Sequence, residues 1–97
     1  MDYSSIFKPP MSQQTKCGRI RLMPGEEVGE HVTEGREETI TVLKGTASVY
    51  IEDQRMDIPE RDVVFVKENV RHNVKNHTDS VLEYIYVVSL LKKQLVS

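Results

Sequence analysis

Ninety-seven residues suit one domain, and a chain this short buries only about two thirds of the surface its unfolded form exposes, so extra burial through a homodimer is the expectation. Thirteen basic against fifteen acidic residues leave a net charge of -2, and no basic run or interleaved aromatic set offers a nucleic-acid surface. No apolar run approaches the roughly 20 residues that span a bilayer, and the amino terminus lacks the charged-then-apolar order of a signal peptide, so no membrane partner and a cytoplasmic location are expected.

Met1 to Gln14 carries Pro9-Pro10 and several Ser and Gln residues, a composition that disfavours regular structure. Residues 1–14 are therefore expected to form a loosely ordered arm, with Tyr3, Ile6 and Phe7 available to a neighbouring subunit, and residues 15–97 a single barrel domain. Cys17 to Met23 alternates, Ile20 and Leu22 on one face and Arg19 and Arg21 on the other, until Pro24-Gly25 ends the strand. Cys17 is the only cysteine, which excludes an intramolecular disulfide and a multi-thiolate metal site; it reads as a strand residue. Gly25, Gly29 and Gly35 punctuate turns, and no strand-to-helix transition follows them that would make a phosphate loop.

Thr39 to Leu43 is β-branched or aliphatic throughout, and Gly45 is expected to turn it into a hairpin with Thr46 to Glu52. Asp53-Gln54 and Pro59 to Asp62 read as turns around a short strand at Met56 and Ile58, followed by Val63 to Val66. Arg71 to Asn76 sets His72, Val74 and Asn76 against Arg71, Asn73 and Lys75; after a turn at His77 to Ser80, Val81 to Leu91 is a long apolar strand, and Lys92 to Ser97 is expected to fray. His77 in its polar turn reads as solvated, and Tyr84 and Tyr86 as core packing. No segment sustains a helical period, so the fold class is all-β, a sandwich or barrel.

Between Gly25 and Gly45 the period of two puts His31 and Thr33 on one face, and after a turn at Glu34 to Glu37 it puts Glu38, Ile40 and Val42 on another shared face. With His72 these form a candidate triad of His31, Glu38 and His72; Thr33 and Asn76 are further candidates for the lining, and Ile40, Val42, Val63 and Phe65 for the apolar wall. An ionised, unpaired carboxylate inside a barrel costs several kcal/mol, so a cation or a protonated histidine is expected beside Glu38. Two imidazoles and one carboxylate hold a divalent ion with positions left open, which points to Fe, Mn, Zn or Ni without choosing among them.

The spacing Gly25, His31, Thr33, Glu38, Gly45 resembles the first cupin motif, G-x5-H-x-H-x3or4-E-x6-G, with Thr33 in place of the second histidine. The second cupin motif, G-x5-P-x-G-x2-H-x3-N, is matched in spacing, but Arg61, Lys67 and Asn69 stand at its glycine, proline and glycine positions while His72 and Asn76 remain. The resemblance covers Gly18 to Val88 and implies a double-stranded β-helix, or jelly-roll, barrel. It further implies a small-molecule ligand or substrate and two readings of function. One is a metal-dependent enzyme acting on a small carboxylate, sugar or keto compound. The other is a non-catalytic binding or sensor domain with a metal-free polar cluster.

Overall fold

A computed structural model describes residues 1–91, which form nine β-strands and no helix. They are β1 (Asp2–Phe7), β2 (Thr15–Leu22), β3 (His31–Val32), β4 (Arg36–Lys44), β5 (Ala47–Ile51), β6 (Gln54–Ile58), β7 (Val63–Val66), β8 (Arg71–Lys75) and β9 (Leu82–Leu90). Two antiparallel sheets result, one of five strands in the order β1-β2-β9-β4-β7 and one of four in the order β3-β8-β5-β6. The expected frayed tail, Lys92 to Ser97, lies outside the described residues.

Alternation decides which side of the larger sheet is the inner one. Ile20 and Leu22 of β2 pair with Tyr84 and Leu82 of β9, and Val42 of β4 pairs with Tyr84 from the other side, so these residues form one apolar row. Ala47, Val49 and Val74 of the smaller sheet join the same core. Leu22, Ile40, Leu82, Val42 and Val49 are fully buried, and each such side chain contributes roughly 1.5–3 kcal/mol through the surface it removes from water.

Three expectations are corrected. Asp2–Phe7 is a strand rather than a loose arm, because the open edge of β2 offers it a partner through pairs such as Tyr3 with Ile20 and Ser5 with Gly18. β4 and β5 do not form a hairpin: β4 pairs with β7 and β9, β5 with β6 and β8, and Gly45 marks a corner where the chain crosses between sheets. At that corner Gly45 holds φ 83°, and a Cβ would stand 2.6 Å from the Val81 carbonyl oxygen, so only glycine fits. Val63 and Phe65 are exposed while Val64 and Val66 are buried, because β7 pairs Val64 with Ile40 and Val66 with Glu38, which carries those two inward. Asn73 is buried despite its outward place in the alternation of β8, since the loop before β3 covers it.

Candidate metal and ligand site

His31 and His72 face each other directly across the β3–β8 pair, their ring centroids 4.2 Å apart. Glu38 reaches them from β4 in the opposite sheet, with its Oε2 3.7 Å from His72 Nε2. One donor atom from each of the three lies within 4.8 Å of the others, so the candidate triad is brought together.

The surroundings prepare the two imidazoles for coordination. His31 Nδ1 stands 2.9 Å from the Gly29 carbonyl and His72 Nδ1 3.1 Å from the Val70 carbonyl. A carbonyl oxygen only accepts, so each Nδ1 carries the proton and each Nε2 keeps its lone pair for the site. Ligands held at about 2.0–2.2 Å from one ion are no more than about 4.4 Å apart, and the His72–Glu38 separation falls inside that limit. All three donor atoms lie within 4.8 Å of one another, so a side-chain shift of about 0.4 Å brings the set inside that limit and lets it hold a divalent ion.

The loop before β3 is tied down along β8. Gly25 and Val28 donate through their amides to the Asn76 and Val74 carbonyls, and Gly29 donates to Asn73 Oδ1 at 2.9 Å. Asn73 thus fixes Gly29, the residue whose carbonyl orients His31, a role that sequence reasoning missed; its signal was a polar side chain between two inward positions of β8. Thr33 is buried with its hydroxyl 3.4 Å from His72 Nε2, which puts it beside the triad although it does not line the cavity.

Asn76 does not line the cavity either. Its amide donates to the Leu22 and Ser80 carbonyls and its oxygen accepts from the Thr78 amide and hydroxyl, so it holds the turn after β8. His77 is exposed, as expected, and pairs with the Tyr50 hydroxyl at 2.8 Å.

The triad opens into a cavity of about 240 Å³. Its walls include Ile20 and Tyr84 from the larger sheet, Val74 from the smaller and Val28 from the loop before β3, and Tyr86 and Tyr3 stand with them. The tyrosines of β9 thus border the cavity as well as pack; Tyr84 belongs to the core at the same time. Burial pushes both phenols well above their ordinary 10, with Glu38 adding to the shift and Tyr3 contributing a hydrogen bond at Tyr86. They stay protonated at neutral pH and act as hydrogen-bond donors, not bases. At His72, burial pulls the pKa down, but the Glu38 carboxylate and the Val70 carbonyl outweigh it and the net shift is upward from 6.5.

Residues 18–88 match the family model described as a cupin domain. The chain belongs to the cupin family. Its barrel is that of other cupins, and β1 lies before the matched segment. A curated relative, the oxalate-binding protein of Thermotoga maritima, is 32% identical over 73 residues, which are 75% of this chain and 60% of that protein. The chain thus spans about three fifths of that relative. A crystal structure from Thermotoga maritima, described as a predicted oxalate decarboxylase, superposes with a TM-score of 0.75 at 30% identity, over 78% of this cupin and 66% of the other chain. The cupin domain of an XRE family transcriptional regulator from Enterobacter cloacae superposes with a TM-score of 0.85 at 15% identity, over 94% and 97% of the two chains, and shares the fold.

Proposed function

We propose that this cupin binds a small carboxylate- or keto-bearing molecule at a divalent metal ion held by His31, Glu38 and His72. The observation that carries the reading is the convergence of two imidazoles, each with Nδ1 on a backbone carbonyl, and one carboxylate from the facing sheet at the mouth of a cavity. The oxalate-binding relative supports a carboxylate as the ligand's oxygen group. A divalent ion in that place supplies Lewis acidity and positive charge toward a ligand oxygen.

The protein's own residues supply the rest. Thr33 stands where a second histidine of the motif would be, and its short hydroxyl leaves that coordination position to the ligand or to water. Ile20, Val28 and Val74 keep water from the bound molecule, which strengthens each polar contact inside. With the triad committed to the ion, the cavity keeps phenols as donors and has no further base, so binding is the function the geometry supports best.

A second reading has its own observation: His72 Nε2 lies 3.7 Å from Glu38 and 3.4 Å from Thr33, so a protonated His72 satisfies the cluster without metal. Elemental analysis of protein purified without a histidine tag separates the two. A stoichiometric first-row ion, lost in His31→Ala, supports the metal site. Protein that stays metal-free after incubation with zinc, manganese, iron and nickel salts and subsequent desalting leaves the protonated pair as the better account. Incubating loaded protein with oxalate and with simple 2-oxo acids, and following oxygen uptake and ligand loss, then distinguishes an enzyme from a sensor.

A further inference from the structure

The cavity is larger and less polar than a dicarboxylate site needs. Its volume of about 240 Å³ equals that of about eight waters at their liquid share of about 30 Å³, more than a two-carbon dicarboxylate fills. Two neutral imidazoles, one carboxylate and a divalent ion sum to one positive charge, which a single anionic group neutralises. A second carboxylate would need its own cation, because an unpaired buried charge costs several kcal/mol. Among the described residues, no lysine or arginine lines the cavity, and the ammonium of Met1, which does line it, is already paired with the Glu26 carboxylate at 2.8 Å. Arg19 and Arg21 pair with Glu83, Lys75 with Glu27, and Arg71 with Glu30, Glu52 and Asp53.

Away from the triad, the wall is built from Tyr86 and Tyr3. Tyr86 lies across Gly18, its neighbour in the β2–β9 register, so closely that a Cβ on Gly18 would stand 2.6 Å from Tyr86 Cζ. The missing side chain lets the phenol reach the sheet edge, where it donates to the Tyr3 hydroxyl at 2.6 Å while the two rings stack at 15°. Tyr3 belongs to β1, which lies outside the matched family segment. These two flat rings face the cavity that Val74 of the other sheet and Val28 of the loop before β3 close.

We propose that Tyr86, laid across Gly18 and held by Tyr3, sets the ligand class of this cavity as a monoanion with a flat apolar body, such as an aromatic 2-oxo acid, and not a dicarboxylate such as oxalate. The anionic end meets the triad, and the body lies between the tyrosine rings and the two valines. The inference rests on the metal-site reading for its charge balance, and on the cavity walls alone for its selectivity.

The test is calorimetric titration of zinc-loaded protein with phenylpyruvate and with oxalate, after a direct zinc titration. Phenylpyruvate is expected to bind at least tenfold more tightly than oxalate. Gly18→Ala, which displaces the Tyr86 ring, is expected to weaken phenylpyruvate at least tenfold while zinc affinity and oxalate binding stay as in the parent. Tyr3→Ala, at an exposed position, is expected to do the same to a smaller degree and serves if Gly18→Ala fails to fold. Oxalate binding as tightly as phenylpyruvate overturns the inference and leaves the metal site standing; so does loss of both ligands in equal measure in the variants. If zinc does not bind, the titrations are run with manganese, iron or nickel, and if none of the four binds the metal-site reading fails by itself. The same titrations on metal-free protein then carry the comparison, with phenylpyruvate still expected to be preferred and equal binding overturning the inference.

Discussion

The two segments that build the site reach similar backbone shapes with different residues. The first, from Gly25 to Gly45, places glycine at its left-handed corners and carries an exposed histidine, His31. The second, from Arg61 to Asn76, holds φ 71° at Arg61 and φ 63° at Asn69, both with side chains, and carries a buried histidine, His72. The glycine positions of the second motif thus keep their conformation after losing their residue type. Backbone hydrogen bonds impose it: the Arg61 amide donates to the Val42 carbonyl at 2.8 Å, and the Asn69 amide donates to the Thr33 carbonyl at 3.1 Å. A motif's geometry therefore outlasts its letters where neighbouring strands hold the turn, and fails to where a side chain has no space.

The hardest test of that difference is Gly45→Ala. Left-handed backbone costs roughly 1–2 kcal/mol for an ordinary residue, and forcing a methyl against the Val81 carbonyl adds about 1–3 kcal/mol. A loss of about 3 kcal/mol in urea unfolding is expected; a change under about 1 kcal/mol would mean that the corner yields easily.

Next come the histidines, equal as ligands and unequal as packing. His31→Ala and His72→Ala are both expected to abolish stoichiometric metal, read by atomic spectroscopy. In metal-free protein, His72→Ala should also cost about 1–3 kcal/mol, because it leaves Glu38 and the Thr33 hydroxyl without their partner. His31→Ala, at an exposed position, should stay within about 0.5 kcal/mol of the parent. Equal destabilisation by the two would erase the contrast.

The same contrast has a pH signature. His72 has a folded-state pKa raised above 6.5, so the stability it contributes to metal-free protein is fully present below about pH 6.5 and is lost as pH rises through the folded value. With metal the trend reverses, since coordination requires neutral imidazole and strengthens as the proton leaves. Melting temperatures at pH 6 and pH 8, with chelator and with excess zinc, should move in opposite directions, and His72→Gln should flatten the chelated series. Parallel trends would show that proton and metal do not compete for His72.

How much of this was legible in the chain follows from which interactions are local. The inward sets Ile20 with Leu22 and Glu38 with Ile40 and Val42 were readable because alternation records which face a strand buries. The triad was readable because the motif spacing spans both segments. The corner at Gly45 was not: a glycine between two β-rich runs looks the same whether the chain turns back on itself or crosses to the other sheet, and the partners of β4 lie far along the chain in β7 and β9. The four apolar residues of β7 carry no alternation, so only pairing with β4 tells Val64 and Val66 from Val63 and Phe65. Tyr3 was hidden for a similar reason, because the segment before Pro9-Pro10 shows no alternation of its own and becomes a strand through the free edge of β2.

The smallest effects expected are at Arg61 and Asn69, and their sign is informative. Arg61→Gly relieves roughly 1–2 kcal/mol of left-handed strain but loses roughly 0.5–1 kcal/mol by loosening the unfolded chain. The net is a gain of about 0.5 kcal/mol, opposite in sign to Gly45→Ala because the exchange at a left-handed corner runs the other way, and smaller because no methyl clash is involved. Asn69→Gly should gain less, because asparagine tolerates the left-handed region through local hydrogen bonding and has less strain to release. Chemical unfolding of Arg61→Gly and Asn69→Gly beside the parent reads both. If Arg61→Gly destabilises the protein, the arginine side chain contributes more than its backbone costs, and the second segment has replaced glycine with a contact of its own.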